Sequence, residues 1–374
     1  MVDFSQIKTP AFICDLGVLR HNLKLLSNVQ FRSGCKILLA LKAFSMWSTF
    51  PIIRKYLPGV SASSLYEAQL GYEQFQGEVH AYAPAYSEIE LRELTQICDH
   101  IIFNNPAQRD RFKNLIQSVE CGLRINPEHS EVETQIYDPC QRYSRLGVTR
   151  TELDPKDFIG FSGLHFHNLC EKDADALERT LMKVSSKFEP ELRLSKWVNF
   201  GGGHLITSQW YDTYKLIKII QNFKQEFDVE VYLEPGAAIA YNCGWLVASV
   251  LDIFKNEMPI AILDTSATAH MPDIIEMPYR PEIVGADKPG KYQYTYRLGG
   301  MTCLAGDIVG DYSFSKPLKI GDRIILCDMA QYTMVKTNTF NGIRLPSIMT
   351  YDPETNEFEL IKKFGYTDFR DRLS

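Results

Sequence analysis

Short apolar runs recur between about residue 36 and residue 236, each followed by a polar or helix-compatible stretch. Eight runs stand out: Lys36–Lys42 (KILLALK), Gly59–Ser63, Glu78–Tyr86, His100–Asn105, Glu120–Pro127, Phe161–His167, Lys196–Gly203 and Val229–Gly236. Strands that alternate with helices build parallel βα units, and eight such units close a (β/α)8 barrel. A doubly wound open sheet is the competing arrangement, and Gly59–Ser63, with one large apolar residue, is the weakest of the runs.

After about Ala240 the pattern changes to β-rich runs broken by Gly, Pro, Asp and Asn: YNCGWLVASVLDIF, PIAILDTSA, YQYTYRLGG and KIGDRIILCDM. Helical periodicity fades there, which predicts a second, all-β domain. Thr9–Asp15 (TPAFICD) is a further strand candidate, ahead of the helix-like LGVLRHNLKLL. The expected class is α/β, a TIM barrel over residues 19–243 with a β-sandwich or barrel-like domain formed by 1–18 and 244–374.

A chain of 374 residues exceeds what one core usually fills, in keeping with two regions. With 45% hydrophobic and 23% charged residues it has the composition of a globular enzyme. The net charge of -6 argues against nucleic-acid binding through bulk positive charge, while leaving room for a local acidic pocket. The N-terminal stretch MVDFSQIKTPAFICDLG lacks the features of a signal peptide, and no run approaches the roughly 18 apolar residues of a spanning helix, so no membrane partner and a cytoplasmic location are expected. Nine cysteines, scattered singly without a CxxC pair, suit reduced thiols better than a disulfide framework or a zinc site.

Candidate chemistry gathers at the C-terminal ends of the predicted strands, which converge on one mouth in a barrel. Lys42 closes LLALK and is either a snorkelling surface residue or a buried amine; burial disfavours its charged form, and the neutral amine is what attacks an aldehyde. His165 and His167 in GLHFH point to one side of a strand, which fits a metal pair, satisfied core imidazoles, or a ring stacked on a flat cofactor. Gly201, Gly202 and Gly203 follow WVNF and form either a flexible turn or a backbone cradle for one small phosphate, since the spacing matches neither GxGxxG nor a Walker loop. Glu234 in VYLEPG is a solvated turn residue or a carboxylate exposed into the mouth, and Cys303 and Asp307 sit in the glycine-bracketed segment GGMTCLAGD.

In this order LALK, HFH, GGG, EPG and GGMTCLAGD resemble the fold-type III pyridoxal-phosphate (PLP) decarboxylases, relatives of ornithine and diaminopimelate decarboxylase, over nearly the whole chain. ALKAFS, SASSLYEAQLG, INPEHSEVE, LHFHNLCE, NFGGGH, LEPGAAIAY and HMPDIIEMPYRP are most similar to the branch acting on carboxynorspermidine and carboxyspermidine. The resemblance implies an alanine-racemase-like barrel, a homodimer with shared active sites and a carboxylated polyamine as substrate. It makes Lys42 the Schiff-base lysine, sets His167 on the pyridine ring with Glu67 nearby, gives the phosphate to Gly201–Gly203 and Tyr332, and pairs Glu234 with the ring nitrogen beside the substrate. Cys303 becomes the thiol that a second subunit inserts to protonate the product.

Asp273 and Glu276 in HMPDIIEMPY, together with Asp307, are the acidic candidates for the substrate's ammonium groups. Departures from the better-known relatives accompany the likeness. Ala237 stands where their EPGR has arginine, Leu169 and Cys170 replace the Gly-Ser of HxGS, and Leu304 follows Cys303 where they carry an acidic residue. Ornithine and diaminopimelate become poorer substrate choices, with arginine a further alternative. The rival from another class, a noncatalytic PLP-binding barrel protein, leaves residues 240–374 without a purpose.

Overall fold

The computed structural model describes residues 2–374. The chain begins with β1 (Ala11–Asp15), followed by the helix Leu16–Ser33. Eight strands come next: β2 (Lys36–Ala40), β3 (Gly59–Ala62), β4 (Glu78–Tyr82), β5 (His100–Phe103), β6 (Glu120–Arg124), β7 (Gly163–His165), β8 (Trp197–Asn199) and β9 (Glu230–Leu233). Each lies in one of the eight apolar runs, each pairs in parallel with its neighbour, and the β2–β9 pairing closes the barrel. Apolar side chains such as Leu38 and Leu39 are buried along the strands, as expected where both faces of a parallel sheet are covered.

The strands are shorter than the runs that announced them. Lys42, His167, Gly201–Gly203 and Glu234 therefore lie in the loops just past strand ends rather than closing the strands. Several outer helices start on side-chain caps: Ser87 and Glu90 form a capping box for Glu88–Ile97, Asp173 accepts from Ala176 N–H, and Asp212 accepts from Lys215 N–H. The connection from β6 to β7 departs from the expected alternation. Residues 125–162 contain three 3-10 turns and no α-helix, because Pro127, Pro139 and closely spaced charged residues leave no continuous apolar face to bury.

Near the N-terminal ends of the barrel strands the interior is filled by Trp197, Tyr232, His80 and His100, with the His80 and His100 rings 4.0 Å apart. Gly122 and Gly163 are the space for the Trp197 indole, since a Cβ on either would fall 2.4 and 2.2 Å from its ring atoms.

The strands of the second unit form one connected nine-stranded sheet. It comprises β1 with β10 (Gly244–Asn256), β11 (Met258–Leu263), β12 (Ala286–Asp287), β13 (Tyr294–Gly299), β14 (Ile308–Phe314), β15 (Arg323–Cys327), β16 (Ser347–Asp352) and β17 (Glu357–Lys362). Its path is β12-β14-β13-β11-β10-β1-β16-β17, with β15 also paired to β10. Most pairs are antiparallel; β1 with β16 and β11 with β13 are parallel. Short helices at Ala267–His270, Asp273–Glu276 and Tyr366–Arg370 qualify the all-β expectation. Contacts divide the chain at Leu19/Arg20 and Ile239/Ala240, the second boundary falling before the expected Cys243/Gly244. No helix among the described residues is long and apolar enough to cross a membrane.

Candidate active site

At the C-terminal ends of the barrel strands, Lys42 Nζ stands 3.2 Å from His167 Nε2. The other ring nitrogen, His167 Nδ1, accepts the Gly202 N–H at 3.0 Å, so the proton of the neutral ring resides on Nε2 and points at the amine. Lys42 then has to accept, which only an unprotonated amine does. The electrostatics agree: desolvation pushes the Lys42 amine below its ordinary range, helped by Arg124 and opposed by the Glu234 and Glu67 carboxylates. Desolvation, with Lys42 and Arg124 nearby, also holds the His167 imidazole well below its usual value.

Glu234 is buried just past β9. Asn199 Nδ2 donates to its Oε1 at 2.7 Å and His165 Nε2 donates to its Oε2 at 3.2 Å. Desolvation opposes ionisation here, but the interaction with His165, including its hydrogen bond, outweighs it and holds the carboxyl below the usual carboxylate range. The group is a desolvated carboxylate with fixed donors on both oxygens. His165 and His167 thus have different partners, Glu234 and Lys42, and among the described residues no three His, Cys, Asp or Glu side chains are grouped to hold a metal.

The glycine run works differently from the expected amide cradle. Gly201 N–H is taken by Asn199 Oδ1 at 2.8 Å and Gly202 N–H by His167 Nδ1, leaving Gly203 N–H as the amide of the three with no acceptor among the described residues. Gly201 and Gly203 have φ of +70° and +84°, and a Cβ on Gly203 would sit 2.0 Å from the Leu169 carbonyl oxygen. A Cβ on Gly202 would lie 2.4 Å from the Glu234 carbonyl oxygen. The glycines let this loop press against the ends of two other strands, which is what delivers Glu234 and His167 to one place.

Glu67 is the third residue of the helix Leu65–Leu70, and its Oε2 accepts the Ser63 N–H at 2.6 Å. Desolvation raises its carboxyl above the ordinary value. Cys170, half-buried, has its thiol raised by burial. Three contributors were not singled out from the sequence: Asn199, Arg124 and Tyr82. Arg124 is buried at the end of β6, donates to the His167 carbonyl at 3.2 Å, and holds its guanidinium 4.3 Å from the centre of the Tyr82 ring.

The remaining candidates belong to the sheet unit. Asp273 is buried; its Oδ2 accepts from Tyr279 Oη at 2.6 Å and Thr333 Oγ1 at 2.8 Å, while its Oδ1 is buried without a partner. Glu276 is exposed and paired with Lys336. Asp307, expected to meet substrate, is committed to its own loop: it accepts from Ser266 Oγ, Thr302 Oγ1 and the amides of Thr268 and Thr302. That network presents Cys303 as an exposed thiol, its amide tied to Asn341 Oδ1 at 2.7 Å. Tyr332 is half-buried, in a left-handed backbone conformation at φ 39°.

A neutral amine, an imidazole beside it and a desolvated carboxylate suit a flat aldehyde cofactor with a basic ring nitrogen: the amine for the aldehyde, the carboxylate for the ring nitrogen. Comparisons with known proteins point the same way. Residues 11–330 match the family model described as pyridoxal-dependent decarboxylase, C-terminal sheet domain. A carboxynorspermidine/carboxyspermidine decarboxylase of Campylobacter jejuni is 45% identical, with 98% of each chain covered. A carboxyaminopropylagmatine decarboxylase of Synechocystis is also 45% identical, covering 99% of this chain and 96% of that one. The crystal structure of Campylobacter jejuni carboxynorspermidine decarboxylase complexed with norspermidine superposes with a TM-score of 0.92 at 45% identity, over 98% of this chain and 100% of that one. With relatives this similar along their full length and a family model spanning both units, the chain belongs to the pyridoxal-dependent decarboxylases.

Proposed function

We propose that the protein removes CO2 from a carboxylated polyamine, carboxynorspermidine or carboxyspermidine, in polyamine biosynthesis. The observation that carries the reading is the meeting of Lys42, His167 and Glu234 at one barrel mouth, in a chain 45% identical to an enzyme crystallised with norspermidine. Bound pyridoxal phosphate supplies the conjugated electron sink for the pair released when the bond from Cα to the carboxylate breaks. Lys42 offers the unprotonated amine for its aldehyde. His167 packs at the ring face with its Nε2–H directed to that amine. Glu234 holds a proton at the ring nitrogen by opposite charge and hydrogen bonding. Gly203 N–H and Tyr332 are proposed for the phosphate, with Glu67 near the ring.

We assign the remaining steps to residues of the sheet unit, supplied within a homodimer working in the cytoplasm. Cys303 delivers a proton to Cα after CO2 leaves; its exposure at the tip of a braced loop supports this. Cys303→Ala is expected to lower kcat by about 10²–10⁴-fold with KM little changed, and an unaltered rate and product would remove Cys303 from the reaction. Asp273, with one buried oxygen unpartnered, is the stronger acidic candidate for an ammonium of the substrate; Glu276, already paired with Lys336, is the weaker.

CO2 release measured across carboxynorspermidine, carboxyspermidine, carboxyaminopropylagmatine, diaminopimelate, ornithine and arginine tests the reading. The carboxylated polyamines are expected to lead the single amino acids by at least about 100-fold in kcat/KM; preference for diaminopimelate, ornithine or arginine would overturn it, and no release from any of them would favour a noncatalytic PLP-binding protein. Carboxynorspermidine and carboxyspermidine differ by one methylene, a difference worth about 1–3 kcal/mol in a pocket. A second reading, carboxyaminopropylagmatine as substrate, rests on the equal identity to the Synechocystis relative. In the same assay Asp273→Asn is expected to raise KM by about 10–100-fold, the worth of one charge-assisted hydrogen bond, with cofactor affinity unchanged; the reverse pattern would exclude it from substrate binding.

A further inference from the structure

The carboxylate of Glu234 helps only if its negative charge remains available to the ring nitrogen, and a cationic histidine against it would neutralise that charge. His165 is the residue in question. Its imidazole is buried, its Nε2 is 3.2 Å from Glu234 Oε2, and its Nδ1 is buried with no partner. A lone pair on Nε2 would repel the carboxylate, so Nε2 carries the hydrogen and Nδ1 is bare. A second proton on Nδ1 would place an N–H in a buried position that offers no acceptor. Desolvation is the largest cause opposing protonation, with the Arg124 guanidinium from β6 and any charge on Lys42 beyond β2 adding to it, while the Glu234 carboxylate beyond β9 favours it by charge and hydrogen bond; the neighbouring His167 ring is itself held neutral.

The ring itself is held by stacking. Tyr82, on β4, lies against the His165 imidazole with centroids 5.5 Å apart and planes 19° from parallel. The Tyr82 hydroxyl donates to Asn104 Oδ1 at 2.8 Å, and Asn104 is tied in turn to Gly147 N–H and the Arg145 carbonyl. Arg124 packs on the same Tyr82 ring. Tyr82 therefore both excludes water from His165 and fixes the plane in which its single donor points.

We propose that His165, stacked on Tyr82, is a positioning residue that clamps Glu234 by one hydrogen bond while remaining uncharged, so that the carboxylate is oriented without losing its charge. The proposal rests on Glu234 serving the cofactor's ring nitrogen, and its first test does not depend on turnover. In the cofactor-loaded protein labelled with 15N-histidine, His165, assigned by comparison with His165→Gln, is expected to show the neutral Nε2–H tautomer from pH 5.5 to pH 8. An imidazolium or an Nδ1–H tautomer at neutral pH would overturn the proposal, whatever the substrate proves to be.

The role of Tyr82 is read from the acid limb of kcat. Tyr82→Leu opens the ring to water, lets His165 titrate towards its ordinary value near about 6.5, and moves the acid limb up by about one pH unit or more; Tyr82→Phe, which keeps the stacked ring, leaves the limb in place. His165→Ala, lacking the donor, is expected to lower kcat by about 10–100-fold, whereas His165→Gln, a donor that does not titrate, recovers most of that loss. Equal pH profiles for Tyr82→Leu and the wild type, or equal losses for the two His165 variants, would reduce the pair to packing. If the tautomer is as expected but no substrate is turned over, the functional reading fails and the clamp stands.

Discussion

Lys42→Ala is expected to abolish both turnover and the visible absorbance of the protein reconstituted with pyridoxal phosphate. The amine is the group at the mouth suited to hold an aldehyde covalently, and its surroundings have prepared it for that: desolvation and Arg124 favour the unprotonated form, and His167 turns an N–H towards it. A loss of at least about 10³-fold, equivalent to about 4 kcal/mol of transition-state stabilisation, is the expected size. Absorbance and rate are to be measured on one sample, with circular dichroism to show that the barrel is intact. A variant that still forms the chromophore at wild-type cofactor concentrations contradicts the assignment.

Glu234→Gln is expected to keep the fold and lower kcat by about 10²-fold or more, about 2.7 kcal/mol. The glutamine has one acceptor oxygen where the carboxylate had two. Asn199 is unable to turn its amide to compensate, since its Oδ1 holds Gly201 N–H and its Nδ2 faces Glu234. His165 has to change tautomer and place its hydrogen on a nitrogen with no acceptor. Loss of charge and loss of fit therefore coincide. The same residue gives a pH signature in stability. The Glu234 carboxyl is held below its ordinary value in the folded state, so the unfolded chain binds the proton more readily. Its contribution is fully present above the unfolded value of about 4.3 and is lost as pH falls through the folded value. The gap in thermal midpoint between wild type and Glu234→Gln is thus expected to be largest above pH 5 and to narrow below pH 4. A gap independent of pH would remove the charge from the explanation.

Much of this site was legible because a barrel converts one-dimensional position into convergence. Lys42, His167, Gly201–Gly203 and Glu234 each follow an apolar run, and eight such runs leave one mouth for them to share. What escaped depends on pairs of strands distant in sequence. Nothing in EVHAY indicates that Tyr82 will stack on His165, and the partners of Arg124 are fixed only once β4 to β7 are assembled side by side in the barrel. Asn199 offered a local signal: an asparagine two residues before a glycine commonly captures that glycine's amide in an Asx turn, as Asn199 does with the Gly201 N–H. The partners of Asp307 have a similar origin. A carboxylate bracketed by Ser266, Thr268 and Thr302 has enough donors within its own unit to be consumed by them.

The strand β1 sets an order of events during synthesis. It pairs antiparallel with β10 and parallel with β16, from Ala11 opposite Ser347 to Asp15 opposite Tyr351, and all five of its residues are buried. The first strand of the sheet to leave the ribosome thus waits for nearly the whole chain before its second edge is covered. Residues 20–239, complete in themselves by contacts, emerge in the meantime. At about 5–20 residues per second, the interval from Asp15 to Ser347 is on the order of 17–66 s, during which an apolar strand has one exposed edge or two. The barrel is in effect an insertion between two neighbours in a sheet, and its prompt folding shortens the distance over which those neighbours have to find each other.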